Sequence, residues 1–343
     1  DAPAVRQDTG AAQTALATDD KGTLDLGEYQ NVDCIRARDG LVYAAACDGA
    51  ALKKCSSDLV RTDGGHTAAV LTVDGELTGF AFDGSGDLWL SILTPGGGSL
   101  CRAAHDSWGT AVEQVVTQID GAPLGAVSAV EAAPDGRIYF AVAAAAGAAD
   151  GLESTLRTEL LAHTGTGCVY VYDPAARSVQ KVLGGVAGAA GLALSPDGST
   201  LYVSDLANRC VWRVSADAQD LTAGGKNCSS LVSGLPGYPG ALAMDPDGTL
   251  YIGYRWARSS WLEKNAGSTL LRGIALRAGR NLQEKLFSLP ADAPCTEAVD
   301  TADGSWQRVV SGRGAGSVTA LCPVESRLYL GLAGSEKVRS ANL

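Results

Sequence analysis

Small and apolar residues alternate in short runs along this chain, and each run is punctuated by a turn. Residues 189–205, AAGLALSPDGSTLYVSD, show the unit. Leu192 and Leu194 alternate with small residues, as in a half-buried strand. Ser195-Pro-Asp-Gly198 then brings a proline with fixed φ, an aspartate that can bond its own backbone, and a glycine tolerant of positive φ. Leu201, Tyr202 and Val203 resume as a second strand. The same turn, followed by an apolar strand carrying an aromatic, recurs as RDGLVYAA, GSGDLWLS, PDGRIYFA, PDGSTLYVS, PDGTLYIGY and VESRLYLGL.

The aromatics of these units are Tyr43, Trp89, Tyr139, Tyr202, Tyr251 and Tyr329, separated by 46, 50, 63, 49 and 78 residues. The first, second and fourth intervals match the roughly 40–50 residues of a propeller blade. The pattern therefore predicts an all-β, six-bladed β-propeller in which each unit folds as four antiparallel strands. In the fourth unit these fall at 190–195, 200–204, 209–214 and 228–232. The longer intervals hold insertions. Residues 150–163 read as a helix between the second and third strands of the third unit, and 255–267 as a loop with two tryptophans. Residues 290–314 read as a further insertion before the last unit. That unit runs out of chain after its third strand, so residues 22–29 are expected to supply the fourth and close the ring, removing exposed strand edges. Residues 1–21 are expected to be a flexible tail, leaving 22–343 as the propeller.

Hydrophobic residues make up 46% of the chain, enough for a core of this size and too many for disorder. No run approaches the roughly 18 apolar residues that cross a bilayer, and no basic-then-apolar leader stands at the start, so a soluble, mature chain without a transmembrane segment is expected. A formal charge of −11 disfavours nucleic acid and anionic lipid as partners.

Nine cysteines and three histidines, with no Cys-x-x-Cys pair, argue against zinc and for disulfides laid down in an oxidising compartment. The odd count leaves one thiol over. Cys210 with Cys228, and Cys47 with Cys55, are candidate pairs across neighbouring strands of one blade. Cys34 and Cys322, on inner strands of the first and sixth blades, are candidates to staple the ring. Asn227-Cys228-Ser229 is a glycosylation acceptor pattern. Together these point to a secreted or cell-surface protein.

The stretches AAGLALSPDGSTLYVSDLANRCVWRV and GLPGYPGALAMDPDGTLYIGY, with LESTLRTELLAHTGTGCVYVYDPAARSVQKVL, resemble the strictosidine synthase-like propellers. These include the adipocyte plasma membrane-associated proteins and are distant relatives of gluconolactonases and paraoxonases. The resemblance implies a channel whose rim, in the hydrolases, carries Asn, Asp and Glu ligands for calcium or another divalent ion. Where the family has Pro-Asn-Gly this chain has Ala189-Ala190-Gly191; where it has an Asp it has Gly240-Ala241. Asn-Asp is replaced by Ser128-Ala129, Pro-Glu falls at Val32 or Asp33, and LTGFAFDG has no carboxylate before the turn residue Asp83. The catalytic glutamate of strictosidine synthases aligns with Thr319, which cannot shuttle a proton near neutrality.

The resemblance thus implies a catalytically degenerate propeller that binds a protein or small-molecule partner at one face, without a cofactor. Its alternative is a divergent lactonase- or arylesterase-like hydrolase with a displaced Ca2+ site, for which Asp33, Ser128, Glu131, Asp205 and Thr319 are the candidates. Binding-loop candidates are Arg255, Trp256, Arg258 and Trp261, aromatics interleaved with arginines as in interface anchors. Glu131 is the inner-strand carboxylate expected to need a polar partner, and Asp205 is expected to bond its own turn.

Overall fold

The computed structural model describes residues 4–5, 19–26, 29, 31–49, 52–62, 66–286, 294–311, 317–335 and 337–343. Six four-stranded antiparallel blades are formed. From the axis outward, blade 1 comprises Asn31–Arg38, Leu41–Cys47, Ser56–Thr62 and Thr67–Asp74. Blade 2 comprises Glu76–Phe82, Leu88–Thr94, Gly97–Ala103 and Glu113–Val116. Blade 3 is Val127–Ala132, Ile138–Val142, Gly167–Asp173 and Ser178–Val186. Blade 4 is Ala189–Leu194, Thr200–Asp205, Cys210–Ser215 and Ser229–Ser233, within a residue of the spans read from sequence. Blade 5 is Gly237–Met244, Thr249–Ala257, Pro294–Asp300 and Trp306–Ser311.

Blade 6 takes Val318–Val324, Arg327–Leu332 and Lys337–Asn342 from the end of the chain and its outer strand, Asp19–Asp25, from the beginning. The closing strand starts three residues earlier than expected. Its Leu24 and the following Leu26 are buried against Val32 and Val338, joining the two ends of the chain. The expected tail is mostly outside the described residues, but Ala4–Val5 pair in parallel with Val232 and Ser233 on the edge of blade 4.

The repeated aromatics fill the space between blades: Tyr43, Trp89, Tyr139, Tyr202 and Tyr251 are all buried. Tyr139 also donates its hydroxyl to the Ala216 carbonyl at 3.0 Å, tying blade 3 to blade 4. Gly191 marks the closest approach of inner strands. A Cβ there would stand 2.3 Å from the Gly240 carbonyl oxygen of blade 5, so only glycine fits.

Insertions emerge where second strands pass into third strands, on the face where the inner strands begin, here called the top face. Helix α1 (Leu152–Ala162) is the insertion expected in blade 3. Blade 5 departs from expectation. Its insertion is helical, with α2 (Ser260–Lys264), α3 (Thr269–Arg277) and α4 (Arg280–Leu286), where the sequence predicts a loop over 255–267. The N-caps were present in the sequence: Ser259 and Ser268 accept from the amides of Leu262 and Leu271. Residues 294–311, read as insertion, are the third and outer strands of blade 5.

Candidate functional site at the top of the channel

Every inner strand carries a register irregularity near its start. The skipped residues are Asp33, Thr78, Ser128, Ala190 with Gly191, Gly240 with Ala241, and Thr319. An extra residue in a strand leaves the ladder and re-aims its side chain. Six equivalent bulges therefore set one ring of residues around the axis, and Asp33, not Val32, is the blade 1 member. Thr78 is the blade 2 member that the sequence reading did not identify.

The hydroxyls of this ring hold blades together. Thr78 Oγ1 donates to the Val127 carbonyl at 3.0 Å, Ser128 Oγ to Ala189 at 2.6 Å, and Thr319 Oγ1 to Val32 across the closure between blades 6 and 1. Ser204 Oγ joins blade 4 to Gly240 at 2.8 Å, and Ser57 Oγ joins blade 1 to Gly75 at 2.7 Å. Ser128→Ala is expected to lower stability by about 1 kcal/mol, the net worth of one hydrogen bond, measured by denaturant unfolding.

Inside the ring the axis encloses only about 30 Å³, room for a water or two. Farther along it, Glu131 pairs with Arg36, supplying the expected polar partner, and burial still holds the Glu131 carboxyl above its ordinary range. Asp205 is fully buried and, as expected, bonds its own turn. It accepts from the Asn208 side chain and from Trp212 Nε1, each at 2.9 Å. Of the five hydrolase candidates, the ring brings together Asp33, Ser128 and Thr319, while Glu131 and Asp205 lie elsewhere.

Asp33 does not face the channel alone. The guanidinium of Arg255, itself only 5% exposed, stands 3.7 Å from it, and Arg255 Nε has no hydrogen-bond partner among the described residues. Arg255 and Trp256 are thus buried strand residues, not loop anchors, because the second strand of blade 5 runs on to Ala257. Of the other two loop candidates, Arg258 pairs with Glu263 and Trp261 packs half-buried against the core.

A calcium ion asks for roughly six to eight oxygen ligands. The ring offers one carboxylate, already facing a guanidinium, three neutral hydroxyls, and no side-chain oxygen from Ala190, Gly191, Gly240 or Ala241, four donors at most. The donor set does not fit the metal site that the family resemblance implies.

Above the ring lies a cavity of about 510 Å³, bounded by Asn31, Glu76, Glu153, Arg157, Arg280 and Gln283, with the Cys47–Cys55 loop along one wall. Glu76 Oε2 accepts from the Leu152 amide at 2.9 Å, capping the start of α1. Glu153 and Arg157, one turn apart on α1, pair at 2.7 Å, and Arg157 lies over the Trp256 ring. Burial, then the charge of Asp33, pushes the Glu76 carboxyl up to about 7. Burial also raises Asp33, more than Arg255 lowers it. Glu153 goes the other way, because Arg255, Arg157 and Arg280 outweigh its burial.

A raised carboxyl favours the fold when protonated. Glu76 therefore adds stability below its ordinary 4.5 that is lost as pH rises to about 7. Glu76→Gln is expected to remove this decline, seen as a flatter melting temperature between pH 4.5 and 7. A larger groove of about 790 Å³ lies on the opposite face, where Asp87 pairs with Arg102 and Asp83 accepts from Trp89 Nε1, but no carboxyl on its wall is pushed up toward neutrality as Glu76 is. The top cavity is the stronger candidate.

Eight cysteines are described, all as thiols, and the Cys295 side chain lies outside the described residues. Cys47 and Cys55 face each other at 3.1 Å, and with Asp48 they form a trio close enough to meet a soft metal ion. The Cys210–Cys228 pairing is corrected by register. Cys210 lies opposite Ser233, while Cys228 adjoins Ser229 opposite Arg213, at the other end of the hairpin. At about 3.3 Å per residue that exceeds the roughly 7 Å a disulfide spans. Cys34 turns its thiol toward Phe80 of blade 2, at 3.6 Å, whereas Cys322 belongs to blade 6 on the other side. Asn227 is exposed in a left-handed turn.

The fold and site together define a six-bladed propeller whose channel is narrow and whose larger top-face cavity lies beside inserted helices. The SMP-30/Gluconolactonase/LRE-like region matches residues 106–260 of the chain. No curated protein matches. Among solved structures, XC5397 from Xanthomonas campestris, a gluconolactonase, is similar at 16% identity and a TM-score of 0.61, over 100% of this chain and 95% of that one. Regucalcin from Agrobacterium tumefaciens, a calcium-binding protein, gives 14% and 0.58 over 96% and 95%. A chain from a nidogen/laminin complex gives 14% and 0.53 over 84% of each. At these identities the likeness is one of fold, which hosts enzymes and binding proteins alike.

Proposed function

We propose that this chain is a binding propeller that takes a polar small molecule or protein segment at its top face and runs no metal-dependent hydrolysis in its channel. The observation that carries this reading is Arg255 beside Asp33, at 3.7 Å, within a ring that offers no second carboxylate. A resident guanidinium supplies a positive charge where the hydrolase pattern needs an ion. The finer resemblance to strictosidine synthase-like propellers is compatible with this reading, since Thr319 at the glutamate position has its hydroxyl engaged with Val32. The Cys47 and Cys55 sulfurs, 3.1 Å apart, and the exposed Asn227 are what support a secretory or cell-surface location. Incubation with lactone and aryl-ester substrates is expected to give no turnover sensitive to a chelator; chelator-sensitive turnover would contradict the reading.

A lactonase-like alternative is favoured by the match over residues 106–260 and by Glu76, a carboxyl held near neutrality at the cavity wall. Such a group can accept a proton from water attacking a carbonyl, without a metal. That reading requires turnover that chelators spare and Glu76→Gln abolishes.

A further inference from the structure

The described residues leave five large apolar side chains exposed, and four of them, Leu270, Leu271, Ile274 and Leu282, fall within the helical insertion of blade 5. Leu270 is 73% and Ile274 56% exposed. With Arg277 they recur at i, i+4 and i+7, so one face of α3 presents two apolar side chains and a cation. The face is held in place. Arg272 Nε donates to the Leu161 carbonyl at 2.7 Å, fixing α3 to α1, and Gln283 Nε2 donates to the Ala275 carbonyl at 3.1 Å, fixing α4 to α3.

The charge of this segment opposes that of the molecule. Residues 258–286 hold six basic residues against two acidic ones, in a chain of net charge −11. Lys264, Arg277, Arg280 and Lys285 are exposed. Exposed leucines and an isoleucine beside Arg277 on α3, with Leu282 and Lys285 on α4, match the requirements of an anionic lipid interface: apolar side chains enter the acyl boundary while cations meet the headgroups. An acidic protein groove would meet the cations equally well, yet Leu270 and Ile274 stand 73% and 56% exposed, apolar side chains open to solvent that suit a deformable surface.

We propose that the outward face of α3 and α4 docks the protein onto anionic lipid, with Leu270, Ile274 and Leu282 inserted and Arg277 and Lys285 at the headgroups. The acidic remainder of the molecule is repelled by the same surface, so docking is oriented. Because α4 also contributes Arg280 and Gln283 to the top cavity, docking brings the rim of that cavity close to the lipid boundary. The docking does not depend on what the cavity binds.

The test is flotation of the full chain with phosphatidylcholine vesicles, with and without roughly 30% phosphatidylserine. Binding is expected to the phosphatidylserine vesicles, to fall steeply with added salt, and to drop at least about tenfold in the Leu270→Asp, Ile274→Asp double variant. Both positions are exposed, and an unchanged melting temperature shows that the variant remains folded. Three outcomes overturn the proposal: no flotation with phosphatidylserine, equal flotation of the double variant, or self-association of the native chain, lost in the variant, with no lipid binding.

Discussion

Arg255→Met is expected to cost about 3–5 kcal/mol of stability, the penalty for leaving a buried carboxylate without its cation. Arg255 and Asp33 are both buried, and the charge of Arg255 also lowers the carboxyls of Glu76 and Glu153. Removing the guanidinium therefore leaves Asp33 and Glu76 without its charge, while Glu153 keeps Arg157 and Arg280. The cost is expected to shrink in the Arg255→Met, Asp33→Asn double variant, because an amide needs no counter-charge. Denaturant unfolding of the two single variants and the double variant measures the coupling directly. Additive losses would mean that the two side chains do not act as a pair.

Removing residues 1–25 is expected to have an effect of similar size through a different cause. The outer strand of blade 6 comes from this segment, and without it Lys337–Asn342 become an open sheet edge. Burial of Leu24, with Leu26 beside the cut losing its cover, is worth roughly 3–6 kcal/mol before any strand pairing is counted. The truncated chain is expected to melt earlier and to aggregate on size-exclusion chromatography. Removing residues 1–18 alone, which among the described residues deletes the two-residue edge pairing to blade 4, is expected to leave melting nearly unchanged. Equal melting of the two truncations would show that the ring does not depend on this closure.

The blades were legible in the sequence because their signals are local. An Asp-Gly turn, two alternating strands and a buried aromatic lie within some twenty residues, as in 189–205, and no long-range contact is needed to read them. Closure by the N-terminal strand followed from counting strands. The helical insertion of blade 5 was missed, although Ser259 and Ser268 are N-caps, because Gly267, Gly273 and Gly279 interrupt the apolar periodicity.

The site was less legible for a topological reason. Asp33 and Arg255 are more than two hundred residues apart and meet only because the ring closes. Glu76, next to a turn glycine, gave no sign of its role until α1 was placed over it. The losses at Ala190 and Gly240 could be read one residue at a time against the resemblance. The pairing of Cys210 with Cys228 failed for the opposite reason: adjacent strands were right, but register decides which residues face each other.

The guanidinium of Arg255 serves as the resident cation at the mouth of the channel. Calorimetric titration of the native chain with calcium is the direct test. No saturable binding at this site is expected in the native chain. Stoichiometric calcium binding that Asp33→Asn abolishes would contradict it.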